Sequence, residues 1–241
     1  MIGIGTIVNA LAIIAGAAVG MLIKSGLPKR FKDLIMQAIG LAVIIIGLSG
    51  TLQGIFFLDD QGRLGSNHIM LMIFSLVIGG ILGELLDIEG KLEQVGNWFQ
   101  HKLAAKEGNF AQGFITASLM YCVGAMAIVG ALRDGLSANP IILFSKSILD
   151  GVTAVIFAAS MGLGVAFSAA PVFIYQGGIT LLAGVLRPLL TEALISQMSL
   201  VGSVLIMAIG LNILEIKKIR VCNLLPAVFI PLLYYMITLL I

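Results

Sequence analysis

Apolar runs free of charge, each long enough to cross a lipid bilayer, succeed one another along the whole chain. Gly3–Ile23 is the first, Leu34–Leu58 the second and Ile69–Leu86 the third, with Glu84 close to its end. Phe110–Leu132 is the fourth. A helix needs about 20 apolar residues to span hydrocarbon. Gly151–Leu186 holds 36 uncharged residues, too many for one ordinary crossing, and Pro171 stands near its middle after Ser168, Ala169 and Ala170. Proline disfavours helix at the residue before it, so the stretch divides there into spans over 146–168 and 171–190. Ala193–Leu214 and Val221–Ile241 complete eight predicted spans. Between the third and fourth, Leu92, Val95, Phe99 and Leu103 recur at helical spacing beside Trp98, with Lys91, Glu93, His101 and Lys102 mostly elsewhere on the wheel. That pattern predicts an amphipathic helix over 91–106 lying in the headgroup region. The expected fold class is all-α: a polytopic membrane helix bundle forming one transmembrane domain over 1–241.

Composition leaves no other solvent for the bulk of the chain. Of 241 residues 59% are hydrophobic and 11% charged, with mean hydropathy +1.11, whereas soluble domains carry about 25% charged residues. The net charge of +2 is small and its basic residues are scattered, which excludes nucleic acid as a partner. Cys122 and Cys222 form no CxxC pair, so no disulfide framework or zinc site is expected. The first apolar run lacks a basic start and a small-residue cleavage pattern, and reads as a retained span.

Lysine and arginine set the orientation. With the N-terminus outside, inner loops hold Lys24, Lys29, Arg30, Lys32, Lys91, Lys102, Lys106, Lys217, Lys218 and Arg220, and outer segments hold Arg63, Arg133, Lys146 and Arg187. Both termini are therefore expected to be extracytoplasmic.

The chain also shows faint self-similarity. Gly5-Thr-Ile-Val-Asn-Ala-Leu aligns with Gly113-Phe-Ile-Thr-Ala-Ser-Leu, and Phe31-Lys-Asp-Leu-Ile-Met-Gln-Ala with Phe144-Ser-Lys-Ser-Ile-Leu-Asp-Gly, which sets Gln37 against Asp150. Three spans repeated once must invert, as in many secondary transporters, whose sites lie between the repeats. The expected half-repeats are 1–90 and 110–190, with final spans over 193–241.

Ionisable and amide side chains inside spans mark function or buried pairing. Lys146 and Asp150 are four apart and share a helix face. They read as a binding carboxylate with a lysine partner, or as a structural pair whose lysine snorkels to the headgroups. Asn9, Gln37, Gln176 and Asn212 are further candidates, each also capable of tying helices together, as is Glu84, which near a span end also reads as interfacial. Gly177 and Gly178 after Gln176 raise the alternatives of a broken span or ordinary packing. Gly16-x3-Gly20 and Gly79-x3-Gly83 suit close helix approach, in a tight bundle or a homodimer.

No HExxH, Walker or GxGxxG motif is present, so neither an enzyme nor a cofactor is expected, and no metal is assigned. Gly47-Leu-Ser-Gly50 matches the serine motif of rhomboid-type proteases. The histidines, however, are His68 and His101 alone, outside that family's pattern.

Several blocks resemble a known family. They are Gly5-Thr-Ile-Val-Asn9, Ile78-Gly-Gly-x3-Gly83-Glu84 through Leu86-Asp-Ile-Glu-Gly-Lys-Leu92, Cys122-Val-Gly-Ala-Met-Ala-Ile-Val-Gly130, Lys146-Ser-x2-Leu-Asp150-Gly151, Tyr175-Gln176-Gly177 and Leu224-Leu-Pro226-Ala227. Together they are similar to the bacterial multi-pass membrane proteins called domain of unknown function 554, over nearly the whole chain. The resemblance implies an integral protein of the bacterial inner membrane and supplies no site residues. The expected function is a secondary transporter or permease for a small solute or ion. A passive channel and a non-transporting scaffold or partner protein are the alternatives.

Overall fold

The computed structural model describes residues 1–24, 28–59, 61–91, 94, 110–122, 125–188 and 190–240. Apart from Lys91 and Gln94, the amphipathic segment expected over 91–106 falls outside them. Helix α1 covers Ile4–Lys24, α2 Lys29–Ile55 and α3 Ile69–Leu86. A small antiparallel hairpin, β1 (Phe56–Leu58) and β2 (Leu64–Ser66), joins α2 to α3 with Phe57 opposite Gly65. In its turn, the backbone N–H and then the guanidinium of Arg63 hold the Asp59 carboxyl below the usual carboxylate range. Next among the described elements come α4 (Phe110–Cys122), α5 (Ala125–Ser137) and α6 (Ile141–Met161). They are followed by α7 (Gly164–Phe167), α8 (Ala169–Leu181), α9 (Ala183–Leu186) and α10 (Glu192–Ile213). The last span is a 3-10 segment, Val221–Phe229, running into α11, Ile230–Leu240.

Among the described residues seven helical segments are long and apolar enough to cross a membrane, or eight if the bent pair α4 and α5 is one span. The surface is apolar: Leu11, Ile14, Leu41, Ile45, Phe74, Ile81, Ile148 and Ile174 are all exposed. Patches of that extent need hydrocarbon or a partner to cover them. Polar groups instead lie inside, among them Asn9, Asp134, Lys146, Asp150 and Gln176. The chain is a multi-pass helical membrane protein.

Several local expectations are corrected. The long uncharged stretch divides at Gly162, not at Pro171. Gly162 ends α6 with φ 84°, where a side chain would be strained. Pro171 is the third residue of α8, within the first turn, where a missing N–H breaks no helical bond. The span expected to start at 146 starts at Ile141, which carries Asp150 into the middle of α6 rather than near its end. Gly177 and Gly178 leave α8 intact: the helix runs on to Leu181 and turns at Leu182. The break falls instead in the fourth span, where α4 and α5 differ in direction by 61°.

The chain forms two compact units, Met1–Met36 with Gly90–Pro188, and Gln37–Glu89 with Leu189–Ile241. Each takes segments from both sides of residue 90. In the first unit α1 lies directly on α6, because a methyl on Gly16 would overlap the Gly151 carbonyl and one on Gly20 that of Val155. In the second, α3 lies equally close to the 3-10 segment, where Gly79 meets Ala227 and Gly83 meets the Asn223 carbonyl. Both GxxxG spacings thus serve contacts within the chain.

Candidate functional site

The first unit encloses a polar cluster built by three helices. Glycine backbones let α1 approach α6 closely enough for short side chains to meet. Asn9, in the second turn of α1, donates from Nδ2 to Asp150 Oδ2 on α6 at 3.0 Å and to Gln176 Oε1 on α8 at 3.2 Å. Lys146, one turn before Asp150 on α6, places Nζ 2.5 Å from the same Oδ2. Asn9 and Gln176 are 0% exposed, Asp150 6% and Lys146 7%. At that burial the ammonium is enclosed in protein. Lys146 Nζ also lies 5.9 Å from the centroid of the buried Tyr121 ring on α4, a cation–π distance. The Tyr121 hydroxyl accepts from Thr153 Oγ1 at 3.5 Å.

The cluster is incompletely bonded. Asn9 Oδ1 and Gln176 Nε2 are buried with no hydrogen-bond partner among the described residues. An unused acceptor and an unused donor thus remain beside the Asp150–Lys146 pair's amide partners. Gly177, next along α8, presents a bare backbone whose nearest neighbour is the Thr6 methyl.

The remaining candidates belong to the second unit. Gln37 is exposed on α2, an environment unlike that of Asp150. Glu84, near the end of α3, pairs with Arg220 and accepts from Asn223 Nδ2 at 2.7 Å. Asn223 Oδ1 in turn accepts from the Glu89 backbone N–H at 2.7 Å. Asn212, near the end of α10, donates to the Ile219 carbonyl at 2.7 Å and accepts from the Ile219 N–H at 2.8 Å. These contacts fasten a chain reversal. Among the described residues no group of three or more His, Cys, Asp or Glu could hold a metal ion.

Sequence reasoning missed Asp134 and Thr6. Asp134 is 0% exposed on α5, and its Oδ2 accepts from the Gly5 N–H at 3.0 Å, so a carboxylate from one helix caps the N-terminus of another. Arg133-Asp134 follows the apolar run and reads as its edge; α5 continues to Ser137 and so encloses the carboxylate. Thr6 looks like any small residue of an apolar run, and its hydroxyl is buried without a partner.

The chain is similar in sequence to two proteins over nearly their whole lengths. One is the "Uncharacterized membrane protein YdfK" of Bacillus subtilis, 36% identical over 227 residues, covering 94% of this chain and 93% of that protein. The other is the "Uncharacterized protein YqgA" of Escherichia coli, 30% identical over 235 residues, covering 95% and 94%. No solved structure matches. The family model described as "Protein of unknown function (DUF554)" matches residues 4–236, and the chain belongs to that family.

Proposed function

We propose that the protein is a secondary transporter or permease for a small solute or ion, with the Asn9–Lys146–Asp150–Gln176 cluster as its binding site. One observation carries this reading: a carboxylate, an ammonium and two amides from three helices meet inside a lipid-facing bundle and leave an acceptor and a donor unused. Intramembrane charge is costly and tends to be kept where it serves a pathway or a site. Asp150 is the charge-bearing group, Lys146 its partner, and Asn9 and Gln176 orient the solute. The cluster is closed, so transport requires an opening motion.

The host membrane in this reading is the bacterial cytoplasmic membrane, with both termini outside. The charge bias of the loops supports that orientation, and the parity of three spans supports an inverted repeat. Flux in proteoliposomes tests the function. Vesicles loaded with a pH-sensitive dye and energised by a potassium diffusion potential are screened against amino acids, organic acids and alkali cations. Wild type should accelerate uptake of one class with saturation, and Asp150→Asn should lower it at least about tenfold. Equal flux in the two removes Asp150 from the mechanism, and flux that never saturates makes the protein a channel. No flux for any class, with a partner protein that co-purifies stably, makes it a scaffold.

A further inference from the structure

The outer face of α3, in the second unit, carries a groove. About 480 Å³ of space is lined by Val77, Gly80, Ile81, Glu84 and Leu85. Their spacing of three and four residues keeps them on one stripe of the helix. Gly80 forms the floor, where a methyl would come within 3.0 Å of Leu224 Cδ2, the flexible end of a side chain. Val77, Ile81 and Leu85 are exposed, so the stripe opens outward. From Val77 to Leu85 the helix rises about 12 Å, most of the roughly 15 Å that one leaflet contributes to the hydrocarbon core. The groove therefore has the depth of a single acyl chain. Its polar end carries both signs of charge. Glu84 accepts from Asn223 Nδ2 at 2.7 Å and pairs with Arg220, and both members of that pair are exposed. Each keeps bonding capacity, since a carboxylate accepts several hydrogen bonds and a guanidinium has five donors.

We propose that this groove seats one membrane phospholipid with a primary-amine headgroup. An acyl chain lies along Val77, Gly80 and Ile81, the ammonium meets Glu84 and the phosphate meets Arg220. A carboxylate beside a guanidinium, near the end of a span, is the charge complement of a headgroup that itself joins ammonium to phosphate. Lipid tails are as apolar as leucine side chains, so the chain contributes fit of shape, and selection falls to the headgroup. Phosphatidylglycerol has no ammonium, and the quaternary amine of phosphatidylcholine has no N–H, so each forgoes the hydrogen bond to Glu84. The tether to Asn223 persists, because the ammonium uses lone pairs that Asn223 and Arg220 leave open. The lipid site shares no residue with the polar cluster of the first unit, so it stands or falls apart from the transport reading.

The test uses the full chain, purified in detergent and stripped of lipid. Phosphatidylethanolamine, phosphatidylcholine and phosphatidylglycerol with identical acyl chains are titrated in separately, and bound lipid is counted by native mass spectrometry. Wild type should retain a single phosphatidylethanolamine, half-saturating at a concentration about three- to fivefold below those of the other two. Glu84→Gln should erase that preference and leave phosphatidylcholine binding as it was. Gly80→Leu, which fills the floor of the groove, should weaken binding of all three alike. If Gly80→Leu does not fold, Ile81→Trp, at an exposed position on the same stripe, replaces it. Equal half-saturation for the three lipids in wild type, a preference for phosphatidylglycerol, or an amine preference that survives Glu84→Gln overturns the site. Binding that neither groove variant weakens puts the lipid elsewhere on the bundle and overturns it as well.

Discussion

The two units put the same kinds of side chain, an ion pair with amides beside it, to different uses. The first holds Lys146, Asp150, Asn9 and Gln176 in contact inside the protein, with polar atoms to spare. The second holds Arg220, Glu84, Asn223 and Asn212 at the end of its helices, where the side chains of Arg220 and Glu84 are 63% and 56% exposed. There each polar bond has a tether as its purpose: Asn212 grips both backbone groups of Ile219, and Asn223 links Glu84 to the Glu89 backbone. An ion pair in an apolar sequence therefore says little by itself. What separates a candidate site from a fastening is whether the pair is enclosed and whether its neighbours' bonding capacity is used up.

The sharpest test of that difference is to remove one partner from the enclosed pair. Lys146→Met leaves Asp150 buried without its ammonium, and breaking a buried pair in this way costs about 3–5 kcal/mol. The double variant Lys146→Met with Asp150→Leu should recover most of the loss, since an apolar pair of similar volume replaces both charges. Apparent unfolding free energies from detergent-denaturant titrations measure both. If the single variant is as stable as wild type, the pair is hydrated, and the contrast between the units fails.

Much of this contrast was legible in the sequence, for reasons specific to each residue. Spans follow from runs of apolar side chains, and Lys146–Asp150 from a four-residue spacing that needs no tertiary information. Asn9 and Gln176 were visible as amides in apolar runs, but their meeting with Asp150 depends on α1 packing against α6 through Gly16 and Gly20, which no local signal specifies. Pro171 misled because a proline in the first turn of a helix and a proline between helices look alike in sequence, whereas Gly162 carries the turn through its positive φ. Asp134 was passed over because its partner is a backbone N–H 129 positions away. The partners of Asn212 and Glu84 are not legible in the sequence, because residue type and depth in a span do not reveal which neighbour a side chain bonds.

Asn212→Ala tests the fastening role directly. It removes two hydrogen bonds to Ile219 and leaves that residue's N–H and carbonyl to find water or remain unmet. Each such bond contributes about 0.5–1.5 kcal/mol, so the loss should be about 1–3 kcal/mol in the same titration, with solute flux per folded molecule unchanged. A variant that folds normally but loses flux would place Asn212 in the mechanism and erase the distinction between the two clusters.

Glu84→Gln should have the smallest effect. The substituted amide oxygen still accepts from Asn223, so the link to the chain reversal persists while the ion pair with Arg220 is lost. Both partners are largely exposed, where water and salt screen their attraction and ordering two long side chains offsets much of what remains. The melting temperature should stay within about 2 °C of wild type and should be no more sensitive to added salt than the wild-type value. Lys146→Met at the same salt provides the reference on an enclosed pair. If Glu84→Gln proves as damaging as Lys146→Met, exposure does not govern what an ion pair contributes in this bundle, and Glu84 returns to the list of residues on which transport depends.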